Sequence, residues 1–175
     1  MKKCILAVIL SAVVLFVWGF ISWAILPWHN AVANKFVDES AVSAVLKENA
    51  SSAGMYYLPF AQEDLKPGVL FALANVLPDG VDMNMGEMMG VGLLGQAVSA
   101  LLVILLLCRT SNLDYWGRVR FVALAGVAIG FVSHFPYWNW FGFSTSYTLV
   151  IILDSLIAWL LAGLVMARFV EGKSR

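Results

Sequence analysis

Apolar residues along this chain gather into four long runs separated by more polar stretches. Runs of about 20 apolar residues suit helices that cross a hydrocarbon core about 30 Å thick. The pattern therefore predicts transmembrane helices at 4–27, 88–108, 119–135 and 147–167. A long connection at 28–87, a short one at 109–118, a second short one at 136–146 and a tail at 168–175 complete the chain. The basic pair Lys2 and Lys3 ahead of the first run also suits a cleavable signal peptide. That run is longer than a signal core, however, and it ends in Trp23, Pro27 and Trp28 in place of a small-residue cleavage site. A retained first helix is the expectation.

The connection at 28–87 is too long for a simple loop and reads as a small module of its own. Asp38 is placed to cap a helix whose apolar face is Val42, Val45 and Leu46, ending near Asn49. Ser51, Ser52 and Gly54 mark a turn. Residues 55–60 and 69–76 have the aromatic and β-branched content of two strands, with Pro67-Gly68 and Pro78-Asp79-Gly80 as turns at their edges. The fold class expected is an all-α integral membrane protein: a four-transmembrane-helix bundle with a small α/β extracytoplasmic module between helices 1 and 2. So small a module has a marginal core, which points to support from the membrane surface or a partner.

Composition strengthens this picture. Hydrophobic residues make up 61% of the 175 and charged residues 13%, with mean hydropathy +0.84, so a water-soluble surface could not be covered. The formal net charge is zero, and no nucleic-acid partner is expected. Charge distribution sets orientation. With the N-terminus inside, Lys2, Lys3, Arg109, Arg118, Arg120, Arg168, Lys173 and Arg175 lie on the cytoplasmic side, and only Lys35, Lys47 and Lys66 lie outside. That bias places both termini in the cytoplasm. Eight of the eleven acids fall in 28–87, which gives the outer module five net negative charges. Trp23 and Trp28, and Tyr137, Trp138, Trp140, Phe141 and Phe143, suit an outer aromatic belt, while Trp116 with Arg118 and Arg120 suits a cytoplasmic anchor at anionic headgroups.

Two strings carry a resemblance. Trp23-Ala24-Ile25-Leu26-Pro27-Trp28-His29 and Pro136-Tyr137-Trp138-Asn139-Trp140-Phe141-Gly142-Phe143 resemble strings in a group of small bacterial inner-membrane proteins. The resemblance implies a bacterial cytoplasmic-membrane setting. It implies no activity and carries over no functional residue.

Polar side chains inside a bilayer are costly, so each one asks for a reason. On helix 3, His134 follows Gly126 and Gly130 at steps of four; on helix 4, Asp154 precedes Ala158 and Ala162 in the same way; on helix 2, Gln96 lies between Gly92 and Ala100. Small residues let helices approach closely, so Gly126, Gly130, Ala158 and Ala162 are the expected packing positions. At 1.5 Å per residue Asp154 lies roughly 10 Å below Tyr147 and Gln96 about 12 Å below Met88. The expectation is one intramembrane polar cluster of Gln96, His134 and Asp154 in the outer leaflet, with His134 the partner of Asp154. Such a cluster serves either as a clasp between helices or as a proton or ion relay.

Other chemistry has weaker footing. Met83, Met85, Met88 and Met89 with His29 and His134 supply soft donors of the kind that hold Cu(I), although methionine also fills gaps at a helix start. His29 and His134 are chemically able to ligate haem. The seven tryptophans suit a quinone or sterol pocket, but an aromatic belt accounts for most of them. Cys4 and Cys108 form no CxxC pair and both fall near cytoplasmic helix ends, so neither a disulfide framework nor a thiolate metal site is expected. Cys4 precedes the apolar run, against a lipoprotein signal. No Gly-x-Ser-x-Gly or His-Glu-x-x-His string is present, and Glu63-Asp64 reads as solvated surface.

These features predict a non-enzymatic accessory or scaffold protein without a cofactor. Its surroundings are the lipid bilayer and a membrane-protein partner or a second copy. A small proton- or ion-coupled transporter centred on Asp154 and His134 is the alternative, and a soft-metal or haem protein a further one.

Overall fold

The computed structural model describes residues 2–170, so Lys173 and Arg175 of the expected tail lie outside the described residues. The chain divides into two compact units, Met1–Ala33 with Asn84–Arg175, and Asn34–Met83.

The first unit holds four long helices. Helix α1 spans Lys2–Phe20 and continues into a π-helical turn, Ile21–Ile25; the four-residue helix α2, Trp28–Ala31, follows. After the second unit come α4, Met85–Leu107, α5, Tyr115–Phe141, and α6, Thr145–Phe169. All four long helices, counting α1 together with its π turn, are long and apolar enough to cross a membrane, and only 22–28% of each apolar window is buried within the protein. Each of the last three starts on a side-chain cap: Asn84, Asp114 and Ser144 accept from Glu87 N, Gly117 N and Tyr147 N. These caps satisfy amides that have no partner within the helix.

Helix α1 packs against both α4 and α6, and α5 runs along α6. The apolar core lies toward one end, where Ala7 and Leu15 of α1 meet Ala100, Ile104 and Leu107 of α4, Val122 of α5, and Trp159, Ala162 and Met166 of α6. At that end Arg118 donates through Nε to the Ala167 carbonyl at 3.2 Å, and Tyr115 donates to the Leu164 carbonyl at 3.0 Å. Arg118, placed by its sequence context at a headgroup anchor, is half-buried and bonded to backbone carbonyls. It stabilises the carboxyl end of α6, where unpaired carbonyls and the helix dipole favour a cation.

One expectation changes. Helix α5 does not stop at residue 135; it runs through Pro136 to Phe141, so most of the expected aromatic loop at 136–146 is helix. Proline removes one backbone donor, but aromatic stacking along the helix surface offsets the loss: Phe131 on Phe135 at 4.7 Å, Phe135 against Trp138 at 5.4 Å, Tyr137 against Phe141 at 5.7 Å. Gly142, at φ 70°, then ends the helix in the left-handed conformation that glycine adopts freely. Ala162 is fully buried in the core and Ala158 lies against it. Gly126 and Gly130 of α5 do meet α6, but at Trp159 and Ser155, and Gly163 meets Val122. The face of α6 toward α5 is thus 155, 159 and 163, one position round from the expected Ala158 and Ala162. Ser155 Oγ donates to the Gly126 carbonyl at 2.8 Å across this close approach.

The second unit contains helix α3, Glu39–Asn49, and strands β1, Gly54–Leu58, and β2, Ala72–Val76, paired antiparallel with Gly54 opposite Val76 and Leu58 opposite Ala72. Asp38 caps α3 through its carboxylate, which accepts from Ala41 N at 2.9 Å and Ser40 Oγ at 2.7 Å. No residue of α3 is buried. Its apolar positions Val42 and Leu46 instead face a groove of about 530 Å³ whose other wall is β2 and the residues after it.

Candidate functional site

The site begins with the way α1 ends. In the π turn Leu26 N donates to the Ile21 carbonyl at 2.9 Å, five residues back. Proline at 27 has no amide hydrogen to offer the next carbonyl, that of Ser22. Proline also forces the residue before it out of helical geometry, and Leu26 is accordingly extended, with ψ 139°. The chain turns back, and Trp28 supplies what Pro27 lacks: its indole N–H lies 3.1 Å from the Ser22 carbonyl. Short π-helical turns concentrate at functional sites. Here the turn brings residues 28 and 29 over Ser22.

Asp154 on α6 receives this assembly. Its Oδ1 accepts from the Trp18 indole at 2.7 Å and from the Ser22 hydroxyl at 2.8 Å. Trp18 and Ser22 are one helical turn apart and so share a face. His29 Nε2 lies 2.9 Å from Ser22 Oγ and 3.5 Å from Asp154 Oδ2. Hydrogen-bond directions follow from donor counting. Because Ser22 gives its one proton to Asp154, its lone pairs accept from Trp28 Nε1, at 3.0 Å, and from His29. His29 Nδ1 is buried with no hydrogen-bond partner among the described residues. The imidazole, 6% exposed, lies flat on Trp23 with ring centroids 3.8 Å apart and meets the edge of Trp28 at 5.5 Å.

Beside the carboxylate is a cavity of about 300 Å³, lined by Asp154, Gln96, His134, Ser155, Tyr147 and the rings of Trp18, Trp23 and Trp159 among others. The three polar residues singled out from the sequence thus face one space, contributed by α4, α5 and α6. They are not bonded as expected. Asp154 takes its partners from the first helix and the turn after it, and His134 is not among them. The His134 imidazole stays local: Nδ1 is 2.8 Å from Ser133 Oγ and 3.3 Å from the Gly130 carbonyl. The physical reason is that Asp154 lies on the α6 face toward α1, whereas the Gly126–Gly130–His134 line of α5 meets the neighbouring face.

His29 is engaged with Ser22 and Trp23, Met85 and Met88 are exposed at the start of α4, and Met83 belongs to the other unit. Among the described residues no three His, Cys, Asp or Glu side chains converge. Sequence reasoning passed over Trp18, Ser22 and Trp28. The available signal was Ser22 itself, a hydroxyl one turn after Trp18 in an apolar run, followed by Pro-Trp-His.

Comparison with known proteins finds no matching family model, curated protein or solved structure.

Proposed function

We propose that this chain is a non-enzymatic accessory or scaffold protein of the bacterial inner membrane, with four transmembrane helices and both termini in the cytoplasm. In this reading its outer module binds a membrane-protein partner or a second copy, and the Asp154 network is a clasp. The observation that carries it is the bonding of Asp154. One carboxylate oxygen is held by Trp18 and Ser22, which ties the end of α1 to α6. Rows of outward apolar residues, such as Ile5, Ile9, Leu102 and Leu105, support a lipid-facing exterior. The lysine and arginine bias supports the orientation. The two resembling strings support the bacterial setting. Five net negative charges in the outer segment favour a basic partner, and the groove beside Val42 and Leu46 provides an apolar seat.

Co-purification from native membranes tests the partner. A stoichiometric companion that is lost in Leu46→Glu supports the proposal, and the absence of any companion in several mild detergents counts against it. Orientation is tested in a variant lacking Cys4 and Cys108. An impermeant thiol reagent should label Ser51→Cys in intact cells, and Thr110→Cys only after permeabilisation.

A relay for protons or ions is the second reading, favoured by the cavity that Asp154 shares with His134 and Gln96. Asp154→Asn separates the two. It keeps an oxygen acceptor for Trp18 and Ser22, so loss of a proton-dependent phenotype with stability unchanged supports the relay, while loss of stability alone supports the clasp.

A further inference from the structure

We propose that the cavity beside Asp154 binds an organic ammonium group, held by the carboxylate and by the surrounding tryptophan and tyrosine rings. The proposal goes beyond the clasp, because it concerns the half of the carboxylate that the clasp leaves free. Oδ1 is occupied by Trp18 and Ser22, but Oδ2 makes no hydrogen bond among the described residues and has only the ion-pair geometry of His29 Nε2 at 3.5 Å. That nitrogen is closer to Ser22 Oγ, at 2.9 Å. The Asp154 side chain is 15% exposed and lines the cavity.

The lining decides the class of ligand. No lysine or arginine is among the cavity residues, and the basic groups beside the carboxylate are imidazoles, His134 in the lining and His29 at 3.5 Å from Oδ2. An anion is disfavoured beside that carboxylate. A bare metal ion would find too few ligands, since no cluster of three His, Cys, Asp or Glu exists among the described residues. What the site offers instead is Trp18, Trp23, Tyr147 and Trp159 around one carboxylate. Aromatic faces attract a cation through their quadrupole, most strongly where water is excluded, and this is how quaternary ammonium groups are recognised. A volume near 300 Å³ is at the small end of ligand sites and admits a compact alkylammonium. The ammonium could belong to a soluble amine or to an aminophospholipid headgroup; the site chemistry is shared.

The probe is choline, and its uncharged isostere 3,3-dimethylbutan-1-ol is the control. Purified full-length protein in phosphatidylglycerol nanodiscs is titrated with each while tryptophan fluorescence is read. Choline should give a saturable change that the isostere does not, and Asp154→Asn should weaken it about tenfold or more. Gly19→Leu provides a second variant that does not touch the clasp. Gly19 lines the cavity, and a Cβ there meets nothing within 4 Å, so leucine should occupy the space, abolish the choline response and leave thermal stability unchanged. Equal responses to choline and the isostere, no saturable response, or full binding by Gly19→Leu would each overturn the proposal. Repeating the titration with phosphatidylethanolamine in the nanodisc assigns the source. Weaker apparent choline binding points to the headgroup and unchanged binding to a soluble amine, both consistent with an ammonium site.

Discussion

Ser22 and Asp154, 132 positions apart, are joined by a 2.8 Å hydrogen bond in which the serine hydroxyl donates to the carboxylate. Ser22 is also the acceptor for Trp28 and for His29, so one hydroxyl holds the reversal after α1 against α6. Removing it would take the 2.9 Å partner from buried His29 Nε2 and leave Asp154 Oδ1 with Trp18 alone.

Ser22→Ala should accordingly destabilise the protein by about 1–3 kcal/mol, the usual cost of stranding buried polar groups. Denaturant titration in mixed micelles measures this. A change under about 0.5 kcal/mol would mean that the network contributes little to holding α1 on α6.

The α5–α6 contact gives a sharper steric expectation. A Cβ at Gly126 would run into the Trp159 side chain, whereas one at Gly90 on α4 would meet nothing within 4 Å. Gly126→Ala should lower stability by about 1–3 kcal/mol through overpacking. Gly90→Ala should be neutral or raise it by about 0.5–1 kcal/mol, because glycine is a poor helix residue. The same unfolding assay, run on both, reads the contrast. Equal effects would argue against the close packing of α5 on α6.

Cys4 at the start of α1 and Cys108 just after α4 are both free, and Cys4 is near enough to bear on the Cys108 thiol. Mild oxidation should join them within one chain, giving a species that runs faster in non-reducing electrophoresis and is absent in Cys108→Ser. Cross-linking only between chains would contradict the packing of α1 on α4.

Asp38 caps α3, and its bonds from Ala41 N and the Ser40 hydroxyl hold its carboxyl below the usual carboxylate range. A carboxyl whose folded pKa is lowered adds stability above its unfolded pKa, and that stability is lost as pH falls through the folded value. Acidification into that region should therefore lower the protection of the Ala41 amide, its exchange read against the intrinsic rate at each pH. Asp38→Ala should have low protection at every pH, while Asp38→Asn, still a good cap, should remove the pH dependence in this range.

Much of the fold was legible because it is local. Twenty consecutive apolar residues answer to the thickness of a bilayer whatever their neighbours do, and the four long helices fall where such runs occur. The Asp38 cap depends on three or four adjacent residues, and the two strands on the turn residues that bound them. Boundaries were less legible. Pro136 reads as the end of a helix, yet neighbouring aromatic rings carry α5 five residues further. The candidate site was half legible. Gln96, His134 and Asp154 stand out because polar groups are rare in apolar runs, and all three face one cavity.

The pairing within that cavity is what only the tertiary structure decided. From the sequence, His134 and Asp154 look like partners, since each lies on a stripe of small residues. A rotation of one position on α6 turns Asp154 toward α1 and gives Ser155 and Trp159 to α5 instead. The π turn and Pro27 then bring Ser22 and His29 to the carboxylate. Periodicity records which residues share a face of one helix. Which face meets which neighbour depends on a chain reversal and on side-chain volumes far apart in the sequence, and those are settled only when the helices pack.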